Sequence, residues 1–260
     1  MSVTTDLQSV RRFWEANPVA ARSVPYPIGT PEYFAYYDRL REETESVEFS
    51  AALHEYAAFR GKQVLDVGCG NGYVLSRYAQ QGARVCGIDL THTGVTLSRK
   101  RFEWMGLPGR FLQGNAEGLP FPDATFDCVC SMGVLHHTPD TARAVDEVFR
   151  VLKPGGRLIV MFYHRDSLQM RLKFPLQRWM AGKPMQESIN EVDGVGNPKG
   201  DVYSRDELRQ LLRRFAQHEI FAGSMPWHAM GPTRMLLPAA ARHALERRCG
   251  WFLYAKAVRP

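Results

Sequence analysis

The stretch that decides the fold is Gln63-Val64-Leu65-Asp66-Val67-Gly68-Cys69-Gly70-Asn71-Gly72. Its first half is apolar and rich in β-branched residues, which is typical of a short buried strand in a parallel sheet. The glycines that follow permit a tight turn and a close approach of a ligand to the backbone. The residues after Gly72 have helical spacing. The stretch therefore predicts a strand, a glycine turn and a helix N-terminus, which together favour a polar or anionic ligand.

Two classes of cofactor site use such a unit, and the spacing of the glycines separates them. A dinucleotide-binding turn has the pattern Gly-x-Gly-x-x-Gly, in which the third glycine lets helix and strand pack closely. Here the third glycine, Gly72, comes one position early, and Tyr73 occupies the position that the pattern gives to glycine. The spacing therefore disfavours an oxidoreductase with a dinucleotide cofactor.

A second predicted strand, Ala83–Asp89, also ends in an acid. Asp89 follows Asp66 at the distance expected for one strand–helix–strand repeat. A carboxylate at this place can accept hydrogen bonds from both hydroxyls of a ribose, and Leu90 can pack on an adenine. The alternative role for Asp89 is to cap the next helix.

Two further predicted strands lead into polar or glycine-containing turns. One is followed by Gly114-Asn115-Ala116-Glu117, and the other, Thr125–Ser131, by Met132-Gly133-Val134-Leu135-His136-His137. Thr138, followed by a proline, predicts the start of the next helix. Because ligands of open α/β sheets bind outside the carboxyl ends of the strands, we expect these turns to face one site.

In their order along the chain, these motifs resemble the class I S-adenosylmethionine (SAM)-dependent methyltransferases, and most closely the bacterial small-molecule subgroup known as type 11. The resemblance covers about residues 60–164 and includes Lys153-Pro154-Gly155-Gly156 near its end. Many members have an acid where this chain has Asn115, whose side-chain carbonyl can still accept a hydrogen bond from an adenine amino group. The resemblance implies an α/β, Rossmann-like fold with a mostly parallel seven-stranded sheet, helices on both of its faces, and SAM as the cofactor.

The resemblance also implies which residues bind SAM, all of them at the ends of the first four strands. They are Asp66, Gly68, Cys69, Gly70, Gly72, Asp89, Leu90, Asn115, Ala116, Glu117, Ser131 and Met132. No metal site is predicted. The five cysteines are odd in number and form neither a Cys-x-x-Cys pair nor a cluster with histidines, which argues against both a zinc site and a disulfide framework.

The chain divides into four predicted segments. Residues 1–60, rich in aromatic side chains, form an N-terminal helical cap or lid, and residues 61–164 form the SAM-binding core. Residues 165–203 are an insertion on the substrate side after the fifth strand, and residues 204–260 complete the core with an antiparallel pair of strands joined through a Pro- and Met-rich loop. The aromatic rings of the first segment suit either packing on the sheet or closure over a cofactor. The insertion is compatible with either a surface loop or a specificity element.

Candidate proton acceptors follow from the chemistry of methyl transfer. A sulfonium methyl is already activated, so the protein must align a nucleophile, exclude water and, where the nucleophile carries a proton, remove it. The candidates are His136, His137 and Tyr163, with His164 and Tyr203 as further possibilities; an imidazole titrates near neutral pH. The alternative is structural, because one of two adjacent histidines normally points into the core.

The net charge of +6 is concentrated in the last part of the chain, where residues 165–260 contain 16 Lys or Arg and 9 Asp or Glu. This surface could attract RNA, but it contains no run of basic residues, and Ser131-Met132-Gly133-Val134 differs from the Asn/Asp-Pro-Pro-Tyr tetrad of many nucleic-acid methyltransferases. We therefore predict methyl transfer to an O, N or C atom of a small molecule. The alternatives are an RNA methyltransferase and a SAM-binding protein without catalysis.

Location is predicted from two absences in the sequence. The first residues lack the basic stretch and apolar run of a secretory leader. The longest apolar run, Leu158–Tyr163, is too short to cross a bilayer. A cytoplasmic protein with no membrane partner, and with nucleic acid as an unlikely one, is the expectation.

Overall fold

A computed structural model describes residues 6–19, 21, 23–182, 184–225 and 237–260. Its centre is an eight-stranded sheet. The strands are β1 (Gln63–Val67), β2 (Arg84–Asp89), β3 (Arg110–Gln113), β4 (Phe126–Met132), β5 (Leu152–His164), β6 (Val202–Tyr203), β7 (Ala216–Gly223) and β8 (Phe252–Val258). Most of the predicted Pro- and Met-rich loop falls on residues 226–236, outside the described residues.

The order of the strands across the sheet is β3-β2-β1-β4-β5-β8-β7, with the two-residue β6 beside β5. Among the strands that the structure describes, β8 runs opposite to all the others, and it lies between β5 and β7. The predicted fold class is therefore confirmed, with the short β6 as an eighth strand. The chain builds outward from β1 to β3 and then returns to place β4 on the other side of β1. Strand order reverses at this point, and in open α/β sheets the crevice beside such a reversal is where ligands bind.

Within the described residues, ten α-helices surround the sheet. None of them combines the length and the apolar character needed to cross a membrane. The helices are α1 (Leu7–Ala16), α2 (Pro31–Thr44), α3 (Val47–His54), α4 (Tyr73–Gln80), α5 (His92–Met105), α6 (Thr141–Val151), α7 (Phe174–Ala181), α8 (Met185–Asn190), α9 (Arg205–Leu211) and α10 (Ala239–Cys249).

The apolar core lies on both faces of the sheet because successive side chains of a strand point to opposite sides. In β1, Val64 packs with one cluster, which includes Leu75 of α4. Its neighbour Leu65 packs with the other cluster, which includes Val148 of α6 and Leu208 of α9. This alternation accounts for the helices on both faces.

A buried cation joins the N-terminal helices to the glycine turn. Arg101, in α5, is fully buried, and its Nε donates a hydrogen bond of 2.7 Å to the backbone carbonyl of Asn71. Its guanidinium pairs with Asp38 of α2 at 2.8 Å and lies 4.7 Å from the ring centre of Phe34. A buried charge without its partner is costly, so this pair holds α2 against the turn.

Buried histidines make the fold sensitive to acid. Burial lowers the pKa of His54 to about 3 and also lowers the pKa of His136, His137 and His164. An unfolded chain, whose histidines titrate near 6.5, takes up protons first as the pH falls. Each such group therefore has no effect on the free energy of unfolding above about pH 6.5, and it lowers this free energy progressively below that pH.

We expect the free energy of unfolding to fall less steeply with decreasing pH in His54→Gln than in the native protein. Between about pH 6 and 5, the free energy of unfolding of the native protein should fall by about 1.4 kcal/mol per pH unit more than that of the variant. The comparison with the variant removes the contribution of Asp66, whose raised pKa acts in the opposite direction. Urea unfolding at a series of pH values measures both slopes, and parallel slopes would contradict the prediction.

Candidate active site

A cavity opens at the carboxyl ends of β1, β2 and β4, which is where open α/β sheets bind their ligands. One wall is made by the turns that follow the strands. The opposite wall is made by α1 and the turn after it, which contribute mainly apolar side chains: Leu7, Val10, Trp14, Pro18 and Val19. This contact of the N-terminal segment with the cavity is what a cap requires, and the lid role and the four segment boundaries stay predictions.

The glycine turn lies between β1 and α4. Gly68, Gly70 and Gly72 have φ angles of +80°, +51° and +77°, a region that side chains other than hydrogen adopt with strain. The backbone N–H groups of Gly68 and Cys69 both donate to the carbonyl of Ile88, at 2.7 and 3.1 Å. These bonds fix the turn against the end of β2.

The three glycines face different surroundings. A Cβ atom on Gly70 would meet only Val19, at 3.6 Å, so this position opens into the cavity. A Cβ on Gly68 would overlap the side chain of Val134, and one on Gly72 would press on Ser98 of α5. Gly70 therefore allows a ligand close to the backbone, whereas the other two allow close packing within the protein.

Asp89 ends β2 at the edge of the cavity, where its carboxylate is held in a fixed position. Its Oδ2 accepts from the N–H of Gly70 at 2.9 Å. Its Oδ1 accepts from the N–H and the hydroxyl of Thr91, at 2.9 and 2.7 Å. Burial raises the pKa of this carboxyl, and these hydrogen bonds oppose the rise. A carboxylate oriented in this way can accept further hydrogen bonds from a ligand.

Asp66 lies in β1 beneath the turn. It is buried, and within the described part of the chain its Oδ1 has no hydrogen-bond partner. Burial raises the pKa of its carboxyl to about 7. A buried acid without a full set of partners is uncommon, and it suits a nearby positive charge or an ordered water.

Seven of the twelve residues predicted to bind the cofactor line the cavity: Gly68, Gly70, Asp89, Leu90, Asn115, Ala116 and Met132. The other five lie outside its lining. The carboxylate of Glu117 accepts from the backbone N–H of Asp140 at 2.8 Å, and Ser131 donates to the carbonyl of Val67 at 2.8 Å. Cys69 is buried. The turn residue Gly72 and the strand residue Asp66 are described above.

His137 lines the cavity, at the end formed by the turn after β4. Its Nδ1 donates to the backbone carbonyl of Lys199 at 2.5 Å, which leaves Nε2 as the basic nitrogen. That nitrogen lies 3.5 Å from Oδ2 of Asp193. The other oxygen, Oδ1, accepts from the hydroxyl of Tyr163 at 2.6 Å. The ring of Trp14 packs edge-on against the imidazole, with the ring centres 5.1 Å apart.

Burial lowers the pKa of His137, and the carboxylate of Asp193 opposes this shift. The imidazole is therefore neutral at pH 7. For Tyr163, burial and the same carboxylate raise the pKa of the hydroxyl far above its ordinary value. This hydroxyl acts as a hydrogen-bond donor to Asp193 rather than as a base.

His136 faces the core instead of the cavity. It is fully buried, and neither ring nitrogen has a hydrogen-bond partner among the described residues. Its ring packs on Tyr163 and Phe162, with ring centres 4.2 and 5.8 Å apart. Burial lowers the pKa of His136 well below its ordinary value. The two adjacent histidines thus take different places, one lining the cavity and one in the core.

Sequence reasoning missed Asp193 and Lys199, which approach His137 from the insertion. It also missed Val19 and the apolar residues of α1 other than the aromatic Trp14. Their residue types carry no signal of a site, since the contacts join parts of the chain that are far apart. Over the ranges that the structure describes, no group of three or more His, Cys, Asp or Glu could hold a metal ion, and all five cysteines are free.

Residues 65–160 match the model of a protein family that is described as a methyltransferase domain. The fatty-acid O-methyltransferase of Mycolicibacterium smegmatis is 34% identical over 199 residues, or 73% of this chain and 66% of that protein. The ubiquinone/menaquinone biosynthesis C-methyltransferase UbiE of Cronobacter sakazakii is 35% identical over 115 residues, or 42% of this chain and 46% of that protein. The chain thus matches no more than about two thirds of the first relative and less than half of the second.

Solved structures share the fold over nearly the whole chain. Geranyl diphosphate C-methyltransferase from Streptomyces coelicolor, in a complex with S-adenosyl-L-homocysteine, is 18% identical, with a TM-score of 0.62 and 98% of each chain covered. The [4+2]-cyclase SpnF is 22% identical, with a TM-score of 0.63, 100% of this chain and 98% of that one. The predicted enzyme class and cofactor are confirmed at the level of the family. The chain belongs to the class I SAM-dependent methyltransferases.

Proposed function

We propose that this protein transfers a methyl group from SAM to an oxygen, nitrogen or carbon atom of a small, partly apolar molecule. The observation that carries the proposal is the single cavity that joins two kinds of site. At one end stand the glycine turn and the carboxylate of Asp89, and at the other stands the imidazole of His137. The mainly apolar wall from α1 faces both.

The residues present fit SAM, whose sulfonium supplies an activated methyl group when it is bound. Asp89 would accept from the ribose hydroxyls, and the open side of Gly70 would admit the cofactor next to the backbone. Asp66 lies beneath the turn and outside the cavity lining, and we propose that its Oδ1, which has no hydrogen-bond partner among the described residues, reaches the positive end of such a molecule through an ordered water. Leu90, Asn115, Ala116 and Met132 would contact the base and the sulfur end. For Gly68, Cys69, Gly72, Glu117 and Ser131 we propose a supporting role, in which they shape the turn and the strand ends.

His137 is the proposed proton acceptor for an acceptor atom that carries a proton. Its Nδ1–H is engaged by Lys199, so the lone pair on Nε2 is the one that takes up the proton. The carboxylate of Asp193 then stabilises the imidazolium, and a neutral imidazole in a buried site is well matched to this role. Tyr163 orients Asp193, and His136 packs beneath without touching the cavity.

A small acceptor is favoured over RNA by the walls of the cavity and by the use of the basic side chains. Arg214, for example, pairs with Asp146 at 2.7 Å and lies 4.0 Å from the ring centre of Phe149. The names of the relatives, which refer to a fatty acid, to quinone biosynthesis and to geranyl diphosphate, support the same choice. The RNA alternative would require phosphate neutralisation by these arginines and a steep dependence on salt.

We also propose that the protein acts in the cytoplasm, as its sequence predicts. Five free cysteines, four of them buried, suit a reducing compartment. Fractionation of cells that produce the protein, followed by immunoblotting, tests the location, and recovery from an oxidising compartment would contradict it.

Cofactor choice is tested by calorimetry. We expect SAM to bind and NADH not to bind, and Asp89→Ala to weaken SAM binding by roughly 2–4 kcal/mol, because charge-assisted hydrogen bonds in a buried place are lost. Asp123→Ala is the control, since Asp123 is an exposed acid in a surface ion pair. NADH binding more tightly than SAM would contradict SAM as the cofactor. Equal SAM affinity in the two variants would contradict the role of Asp89.

Acceptor class is tested by incubating the protein with labelled SAM and either total RNA or a small-molecule extract, at two salt concentrations. We expect label only in the extract, and a greater loss of turnover in Trp14→Ala than in the double change Arg213→Gln and Arg214→Gln. Label that enters RNA and disappears with the double change would overturn the small-molecule proposal. Binding of SAM with label in neither fraction would favour a protein without methyl transfer.

A further inference from the structure

A helical segment of the insertion exposes an apolar stripe. A π-helical turn, Gln169–Lys173, continues directly into α7. Leu172, Leu176, Trp179 and Met180 are 62%, 54%, 82% and 72% exposed. Their spacing of i, i+4, i+7 and i+8 places them on one side of the helix, and we call them the α7 stripe. A tryptophan and three other large apolar side chains exposed side by side mark an interaction surface rather than an ordinary part of a protein exterior.

Positive charges border this stripe. Residues 169–181 contain three cations, Arg171, Lys173 and Arg178, and no acid. Arg171 and Arg178 are seven residues apart and so lie along one edge, while Lys173 lies toward the other. Asp166 lies 3.5 Å from Arg171, and both members of that pair are largely exposed. An apolar face containing Trp and Leu between basic edges is the pattern of a helix that lies in the plane of a lipid surface.

The stripe has a firm support on its other side. Phe174, in α7, is buried, and its ring centre lies 5.7 Å from that of Trp251. Trp251 stacks on Tyr163 at 4.8 Å, and Tyr163 donates to Asp193 beside His137. The exposed stripe is therefore coupled by direct contacts to the His137 end of the cavity, where the acceptor is proposed to react.

We propose that the α7 stripe docks this protein on the surface of a lipid layer with anionic headgroups. The apolar side chains enter the interface, and the three cations contact the headgroups. The sequence predicted no membrane partner because its longest apolar run is too short to cross a bilayer, but a helix that lies on a surface needs no spanning segment. A second copy of the chain fits less well, because a symmetric contact would bring like-charged edges together. The proposal rests on exposure and charge and not on the proposed reaction, so binding tests it independently of activity.

The first test is sedimentation of the purified protein with lipid vesicles. We expect binding to vesicles of phosphatidylcholine mixed with phosphatidylglycerol, weaker binding to phosphatidylcholine alone, and a loss of binding to the anionic mixture as salt is added. On binding, tryptophan emission should shift to shorter wavelength. Trp179→Phe should retain most of the binding and lose most of this shift, which would place Trp179 itself in the interface.

The second test uses variants of exposed residues, which are expected to fold. The double change Leu176→Ser and Trp179→Ser should lower the vesicle partition coefficient at least about tenfold, and each of Arg171→Gln, Lys173→Gln and Arg178→Gln about fivefold. The controls are Val47→Ser, an apolar residue 48% exposed on α3, and Arg84→Gln, an exposed cation at the start of β2. Circular dichroism and SAM affinity should be unchanged in all of them.

Three results would overturn the proposal. They are absence of vesicle binding by the native protein, equal binding by the Leu176/Trp179 double variant, and a dimer in sedimentation velocity that the double variant loses. The last result would assign the α7 stripe to contact between two copies of the chain.

Discussion

Gly70→Val is expected to abolish SAM binding while the sheet stays folded. The Cβ at this position points into the cavity, where its nearest neighbour is Val19 at 3.6 Å. The two methyl groups of valine would therefore occupy space beside Asp89 that the cofactor needs. We expect a loss of at least about a hundredfold in affinity, together with about 1–2 kcal/mol of stability, because φ at Gly70 is +51°. Calorimetry with SAM and urea unfolding measure the two effects.

Gly106→Val separates strain from obstruction. Gly106 has a φ of +63° at the end of α5, and a Cβ there would meet nothing within 4 Å. This variant should lose a similar amount of stability and bind SAM with native affinity. If Gly70→Val also bound SAM with native affinity, the glycine turn would not be where the cofactor lies.

His137→Gln is expected to reduce turnover by roughly 10²–10⁴-fold, the usual contribution of a positioned base, with little change in SAM affinity. Asp193→Asn should reduce turnover less, since the imidazole remains but its protonated form loses a stabilising charge. Tyr163→Phe should have the smallest effect, about tenfold, because the hydroxyl only orients Asp193. His243→Gln, a change of an exposed histidine on α10, is the control.

The dependence of turnover on pH tests whether His137 acts as a base. A base must be neutral to act, so turnover should fall at acid pH, below the ordinary imidazole value of about 6.5, because burial lowers the pKa of His137. The charge of Asp193 raises that pKa, so Asp193→Asn should move the acid limb to still lower pH. Turnover that is independent of pH in this range, and unchanged in His137→Gln, would contradict a base at this position.

Local patterns predicted the parts of the fold that depend on neighbours in sequence. The strand before the glycine turn, the acid at Asp89 and the antiparallel closing pair are all present, because each leaves a signature within about ten residues. The predicted start of α6 at Thr138 was wrong. Thr138 donates to the carbonyl of Leu135 at 2.7 Å, and it is Asp140 that accepts from the backbone N–H of Arg143 and caps the helix. Thr and Asp are both favoured as the residue that caps a helix, so residue type does not distinguish Thr138 from Asp140.

Contacts between distant segments were beyond sequence reasoning. The pair His136 and His137 was identified as a candidate, but the choice between them depends on a short turn that packs one ring on Phe162 and leaves the other on the cavity. Asp193, the partner of His137, comes from the insertion. Its position follows from how residues 165–203 return across the end of the sheet, and a single sequence does not encode this in a readable pattern.

The pairing of the buried Arg101 with Asp38 has a consequence for engineering. A natural way to give such an enzyme a new acceptor is to graft the first segment of a relative onto this core, with the junction near residue 60. That junction would separate Asp38 from Arg101 and leave a guanidinium without its anion in a dry environment. The same guanidinium holds the carbonyl of Asn71, so the damage would reach the glycine turn. A chimaera that keeps an acid at position 38, or that exchanges α5 together with the first segment, would keep a matched contact between the first segment and α5.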